Sequence, residues 1–209
     1  SCYTNTRGLI ARFAVNDNFY FETAFLENQS TFLSYIDSAV VGSKEVLGQG
    51  RWKSFKNDPN NKQLIGFDYA MASGVLWWKP AKFFEIYLGH GKQKIGNGYR
   101  SLLLSDQSFN YPYARFDLNF EKAHIKYTST YALLMNLSFT SNSVQSQAIP
   151  FGTEKLLQKK PFSYQYVSWT PIRNLSIGVF QGIVWKPSDE RNRLSPNLDI
   201  LNPLIGVNT

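Results

Sequence analysis

Between residues 89 and 106 the chain reads GHGKQKIGNGYRSLLLSD, with glycine at 89, 91, 96 and 98 and cations at Lys92, Lys94 and Arg100. Glycine with lysine is what a phosphate-gripping loop needs, because bare backbone amides and an ammonium must reach the same oxygens. The spacing argues against that chemistry. Gly91 and Gly96 are correctly separated for a GxxxxGK[ST] loop, but Asn97 stands where the lysine belongs. No helical pattern follows to aim its first amides at a phosphate. A conformational and electrostatic role remains. Four glycines permit sharp bends, Asn97-Gly98 is a turn signal, and the cations are offered to anionic groups. Such a loop can fold back over the protein. Its expected ligands are an acidic polysaccharide, the lipopolysaccharide core, or the protein's own carboxylates.

Sugar recognition commonly combines aromatic faces with hydrogen-bonding side chains. Tyr99, Phe109, Asn110, Tyr111 and Tyr113 cluster in and just after the loop, and Trp52 stands between Arg51 and Lys53. Interfacial anchoring or loop packing explains the same rings equally well. The candidate ligand-binding set is Lys92, Lys94, Tyr99, Arg100, Asn110 and Tyr111.

Catalytic chemistry finds little support. His90 and His124 fall on different segments, and two separated histidines do not make a zinc site. No HExxH or GxSxG occurs, and Cys2, the single cysteine, has no partner for a disulfide or a CxxC pair. Glu85, Asp117 and Glu121 can be drawn as a carboxylate pair across strands. Pairing with Arg115, Lys122 or Lys126 on a charged face is the plainer reading. The expectation is a non-enzymatic protein with no metal and no cofactor. Net charge is +7, but the 22 Lys and Arg are spread along the chain rather than gathered in a run. That distribution gives no footprint for nucleic acid.

The elements that must position these residues are strands. Of the 209 residues 43% are hydrophobic and 16% aromatic, yet mean hydropathy is −0.29, so apolar residues must be interspersed with polar ones. No run approaches the ~18 residues of a membrane helix. In YARFDLNFEK, Tyr113 to Lys122, Ala114, Phe116, Leu118 and Phe120 fall on one face of a period-two ribbon. Arg115, Asp117, Asn119 and Glu121 fall on the other. AHIKYTSTYAL, Ala123 to Leu133, repeats the pattern, with His124, Lys126, Thr128 and Thr130 on its polar face. Similar texture marks Arg7–Val15, Phe19–Glu27, Phe67–Trp78, Phe83–Gly91, Phe162–Thr170 and Leu175–Trp185. That makes eight strand candidates, with a ninth over Leu198–Val207 and a short helix over Phe32–Val41.

Short links (NDN, KPAK, PIRN) alternate with long ones (Asn28–Ile65, Lys92–Pro112, Asn136–Pro161). Tight turns at one end and long loops at the other are the plan of an outer-membrane barrel, and strands of about 9–11 residues cross a bilayer when tilted. Phe19, Tyr20, Trp77, Trp78, Phe83, Phe84, Tyr111, Tyr113, Trp169 and Trp185 lie near strand ends, where interfacial girdles belong. The fold expected is an all-β, antiparallel, up-and-down transmembrane barrel in the bacterial outer membrane. A soluble sandwich with an aromatic core is the competing architecture. Residues 1–209 read as a single β-barrel domain. Single-chain bacterial barrels have even strand numbers, so nine candidates ending in LNPLIGVNT predict about eight or nine strands of a larger barrel, a fragment of a longer chain.

The run GFDYAMASGVLWWKPAKFFEIYLGHGKQKIGNGYRSLLLSD, Gly66 to Asp106, with its continuation QSFNYPYARFDL, resembles the Wzi-like capsule-assembly and RemB-like gliding-motility outer-membrane proteins of Bacteroidetes. NTRG at Asn5–Gly8, GQGRWKSFK at Gly48–Lys56, SWTPIRNLSIGVFQGIVW at Ser168–Trp185 and NPLIG at Asn202–Gly206 extend the likeness over most of the chain. The resemblance implies a large outer-membrane barrel acting at the cell surface, in binding or anchoring surface polysaccharide or in adhesion and gliding. The implied partners are surface polysaccharide or lipopolysaccharide, outer-membrane lipid, and other outer-membrane or periplasmic envelope proteins. An accessory subunit working through protein contacts is the alternative. Members of the family are roughly twice this length, and no catalytic residue carries over from them.

Overall fold

The computed structural model describes residues 2–57, 65–96, 98–99, 101–135 and 159–185. Its elements are β1 (Tyr3–Asn16), β2 (Phe19–Thr31), α1 (Ser34–Ser43), β3 (Glu45–Val46), β4 (Gly50–Arg51), β5 (Lys53–Asn57) and β6 (Ile65–Ala81). After these come β7 (Phe84–Gly91), β8 (Tyr111–Phe120), β9 (Ile125–Met135), β10 (Lys159–Ile172) and β11 (Leu175–Val184). The eight long strands, β1-β2-β6-β7-β8-β9-β10-β11, form one antiparallel sheet in chain order, with β5 adding a short pairing to β6. They coincide with the eight segments that the alternation marks. The ninth candidate, Leu198–Val207, lies outside the described residues. Among the described residues no strand pairs with the outer edge of β1 or β11, and no helix is long and apolar enough to cross a membrane.

Register shows why the alternation matters. Phe84, Ile86 and Leu88 of β7 stand opposite Leu118, Phe116 and Ala114 of β8, and these continue to Tyr127, Ser129 and Tyr131 of β9. Every second residue thus adds to one apolar face running across the strands. The opposite face takes Glu85, Tyr87, Arg115, Asp117, Lys126 and Thr128 by the same pairing. All four ion pairs of the described residues lie on this polar face. The aromatic doublets are divided by it. Trp78 goes to the apolar face, whereas Trp77 donates its indole N–H to Glu85 at 3.2 Å on the polar one. A polar row interrupts the apolar face: Ser129, Gln165 and Gln181 stand side by side in register, with Gln165 fully buried.

Turns follow local chemistry. The Asn16 side chain accepts from the Asn18 amide at 2.9 Å, closing the first hairpin as an Asx turn. Between β8 and β9, where the predicted segments Tyr113–Lys122 and Ala123–Leu133 abut directly, Glu121–Ala123 forms one 3₁₀ turn. His124 caps that turn at φ 53, with its amide on the Glu121 carbonyl at 3.1 Å. It is therefore a turn residue rather than a member of the polar face, because reversing the chain in so few residues requires a left-handed position there. His90 also moves. It belongs to β7 rather than to the glycine loop, and its Nδ1 sits 3.2 Å from the Ala72 carbonyl oxygen. The predicted helix is present, two residues later than expected, because Leu33 stays extended at its start and Lys44 ends it at φ 58.

The long links fold back over the polar face. α1 sets Val40 and Ile36 against Phe67 and Tyr69 of β6, with Trp52 edge-on to Phe67 at 4.8 Å and its indole N–H on the Val40 carbonyl at 3.0 Å. Beside it, Gly48 abuts the Gln107 backbone and Gly50 abuts the Phe109 ring, so the two long links pack on each other. Tyrosine rings occupy the space left by glycines on neighbouring strands. A Cβ at Gly178 would lie 2.5 Å from the Tyr166 hydroxyl oxygen, and one at Gly89 would lie 2.9 Å from that of Tyr113. Gly178→Val is expected to lower stability by about 1–3 kcal/mol through displacement of that ring. Gly42→Ala in α1, where a Cβ meets nothing within 4 Å, is expected to be neutral or stabilising by up to about 1 kcal/mol. Urea unfolding midpoints measure both.

Candidate functional site

The connection from Lys92 to Asn110 starts at the end of β7 and lies across the polar face toward β9 and β10. Its fixation is local. Ile95 and Leu104 form an antiparallel bridge, with N–H to O distances of 3.0 and 3.4 Å. The Ser101 hydroxyl donates to the Ile95 carbonyl and accepts from the Leu103 amide. Gly96 turns the backbone at φ 113, a left-handed value that a side chain would strain. Ile95, Leu103 and Leu104 then pack on Phe162, Tyr164, Ala132 and Leu134, a small hydrophobic core on the polar face. The apolar half of LLLSD is thus the anchor of the loop, while Leu102 stays almost wholly exposed.

Under the loop lies a charge network. Arg115 makes a bidentate pair with Asp117, Nε to Oδ1 at 2.8 Å and Nη2 to Oδ2 at 2.7 Å, and Lys126 Nζ lies 3.1 Å from the same carboxylate. Arg115 also donates to Gln93 of the loop at 3.3 Å and sits over the Tyr87 ring at 5.1 Å. Asp117 is 2% exposed. Its burial is sustained by two cations, the arrangement in which removing one partner costs most. Glu85, the register neighbour of Asp117, is held separately by Tyr87 at 2.7 Å, Trp77 and Lys79. The two carboxylates therefore do not act as a pair, and Glu121 lies in the 3₁₀ turn.

Between loop and sheet is a cleft of about 480 Å³ lined by Lys94, Ile95, Gly96, Leu103, Arg115, Lys126, Thr128, Tyr166, Ser168 and Ser176. Lys94 is the candidate residue that reaches it. Lys92 instead lines a smaller hollow of about 170 Å³ with Glu22, Ser73, His90 and Tyr113. Burial pulls its ammonium pKa down, opposed by the pull of Asp106 upward. Tyr99 is exposed on the loop surface. Asn110 is buried with its amide donating to the Ala72 carbonyl at 2.7 Å, and Tyr111 is buried edge-on to Tyr113 at 6.3 Å. Both brace the foot of the loop, and neither lines either of these two clefts. Arg100 lies outside the described residues.

The sequence pattern missed Thr128, Tyr166, Ser168 and Ser176. The first two lie opposite each other in register, as do Lys126 and Ser168. Alternation put Lys126 and Thr128 on the polar face, and an offset of two along SYQYVSW marks Tyr166 and Ser168 in the same way. Comparison with protein-family models, with curated proteins and with solved structures returned no match.

The Arg115–Asp117–Lys126 network gives a direct test. Asp117→Ala leaves a buried guanidinium without its partner and is expected to lower stability by about 3–5 kcal/mol. The double change Arg115→Met with Asp117→Leu is expected to recover most of that loss. Unfolding of both variants in urea, beside each single change, reads the coupling.

Proposed function

We propose that this sheet is part of the wall of an outer-membrane β-barrel whose loop-covered polar face looks into the lumen, and that the protein holds surface polysaccharide without catalysing a reaction. The observation carrying this reading is the inverted polarity of the sheet. Leu9, Phe13, Phe21, Phe25, Leu88 and Val179 share the apolar face and are each 40–81% exposed, while the ion pairs sit on the other side. Burying a large apolar side chain stabilises by ~1.5–3 kcal/mol. Six of them about half exposed forgo roughly 5–9 kcal/mol in water, as much as the whole net stability of many domains at ~5–15 kcal/mol. Lipid removes that penalty. A soluble sandwich does not, since its apolar face must meet a second sheet.

The alternation of tight turns and long links supports the same reading, as do strand lengths from 8 to 17 residues. So does the likeness of Gly66–Asp106 to Wzi-like and RemB-like outer-membrane proteins. The reading requires further strands on β1 and β11, because an unpaired edge in hydrocarbon leaves its amides and carbonyls unsatisfied. A role in gliding or export through protein contacts is the second reading. It is favoured by the exposure of Tyr35, Leu47 and Leu102 on the long links.

Leu88→Arg separates lipid from water. On a lipid-facing strand it is expected to destabilise by about 2–4 kcal/mol and to reduce recovery in the outer-membrane fraction. In a water-exposed sheet the same change would be neutral or improve solubility. Detergent-dependent extraction of the unaltered protein is the companion measurement, and extraction without detergent would sink the barrel reading.

A further inference from the structure

The cleft under the loop has a more specific chemistry than its surroundings. Its lining contributes three cations, Lys94, Arg115 and Lys126, and no carboxylate. Asp117 beneath it neutralises one charge, since Arg115 and Lys126 share it. Lys94 has no ion-pair partner among the described residues, is exposed, and is brought to the cleft by the Ile95 bridge and the Gly96 bend. The opposite wall is neutral and hydroxyl-rich. Ser168 and Ser176 lie 3.3 Å apart, oxygen to oxygen, with Thr128 one strand away. The Tyr166 ring is steadied against Gly178, and Ile95 and Leu103 supply the apolar edge.

We infer that this cleft binds a saccharide carrying an anionic group. The anion lies toward Lys94 and Lys126, and the sugar hydroxyls meet Ser168, Ser176 and Thr128 across Tyr166. Each half of the lining excludes a simpler ligand. A bare phosphate site would draw on backbone amides at a helix start or nest, and here the walls are side-chain hydroxyls and an aromatic ring. A neutral sugar would leave Lys94 with no counter-charge, and Lys126 with only the carboxylate it shares with Arg115. About 480 Å³ lies within the range of small-ligand sites, ~300–1,000 Å³. This assignment rests on the polysaccharide reading above and narrows it to acidic sugars. The anion is a carboxylate of a uronic acid or a phosphate of a phosphorylated sugar, chemically equivalent toward an ammonium.

The test uses the whole chain refolded in detergent micelles, with titration calorimetry against oligogalacturonate, mannose 6-phosphate and maltohexaose at low and high salt. One or both anionic probes should bind, more weakly as salt rises, and maltohexaose should not. Preference between the anionic probes decides the source of the anion. Lys94→Gln, which breaks no internal ion pair, should raise Kd about tenfold, the order of one charge-assisted hydrogen bond. Ser168→Ala with Ser176→Ala should weaken the sugar probes while leaving the salt dependence unchanged. Equal binding of maltohexaose, or unchanged affinity in Lys94→Gln, overturns the assignment. So does absence of binding by a protein that inserts into lipid vesicles, which leaves the barrel reading standing. A chain that stays soluble without detergent yet binds oligogalacturonate through Lys94 keeps the site and removes the barrel.

Discussion

The structure depends on one constraint, that each strand must serve two unlike environments with alternate residues. The antiparallel meander meets it at the backbone by giving every interior strand a neighbour on both sides, so that ladder hydrogen bonds take up most amides and carbonyls in the middle of the sheet. Side chains meet it by period two. A one-residue slip of β8 against β7 would turn Asp117 and Arg115 toward the apolar side and Phe116 and Leu118 toward the charges. Register is therefore fixed by the price of that exchange, several kcal/mol for each displaced ion, and much less by strand propensity.

Given that division, the polar face needs internal neutralisation. Arg12 with Glu22, Lys79 with Glu85, and Arg115 and Lys126 with Asp117 are local solutions, each within or between neighbouring strands. The aromatic donors serve the same end. Tyr87 and Trp77 donate to Glu85, and Tyr20 donates to Glu22. Rings laid over Gly89 and Gly178 fill the polar face without adding charge. Each carboxylate on this face is satisfied by at least one cation and, for two of the three, by an aromatic donor. Among the described residues, what this face has in surplus is cations and hydroxyls.

How much of this was legible follows from the range over which each signal acts. Alternation is a property of neighbouring residues, so the eight long strands, their two faces and the charged partners of Asp117 could be read from the chain. Turn chemistry was legible where an Asx side chain drives it, at Asn16 to Asn18. It was not at Glu121–His124, where two alternating segments abut and no Asn, Gly or Pro marks the reversal. The candidate site was legible in part. Lys94 was in view because it lies among glycines, but its companions Lys126, Tyr166 and Ser168 come from strands 30 to 75 residues on and are joined to it only by the fold. Asn110 and Tyr111 carry the residue types of a sugar site and sit beside the loop. Their burial against Ala72 and Tyr113 answers the need to seal the start of β8, which composition does not encode.

The loop itself explains why the cations of one short stretch diverge. It leaves β7 beside β8 and must reach β10 to bury Ile95, Leu103 and Leu104, since those are the apolar side chains it has to bury. That reach carries Lys94 past Arg115 and over the hydroxyls of β9, β10 and β11, while Lys92 stays at the root, where burial lowers its pKa. The glycines decide how the reach is made. Gly96 allows the reversal that brings Leu104 back to Ile95, and the Ser101 hydroxyl secures it from within. A hydrophobic anchor thus positions a polar site: the leucines that look least like binding residues determine which lysine meets the cleft.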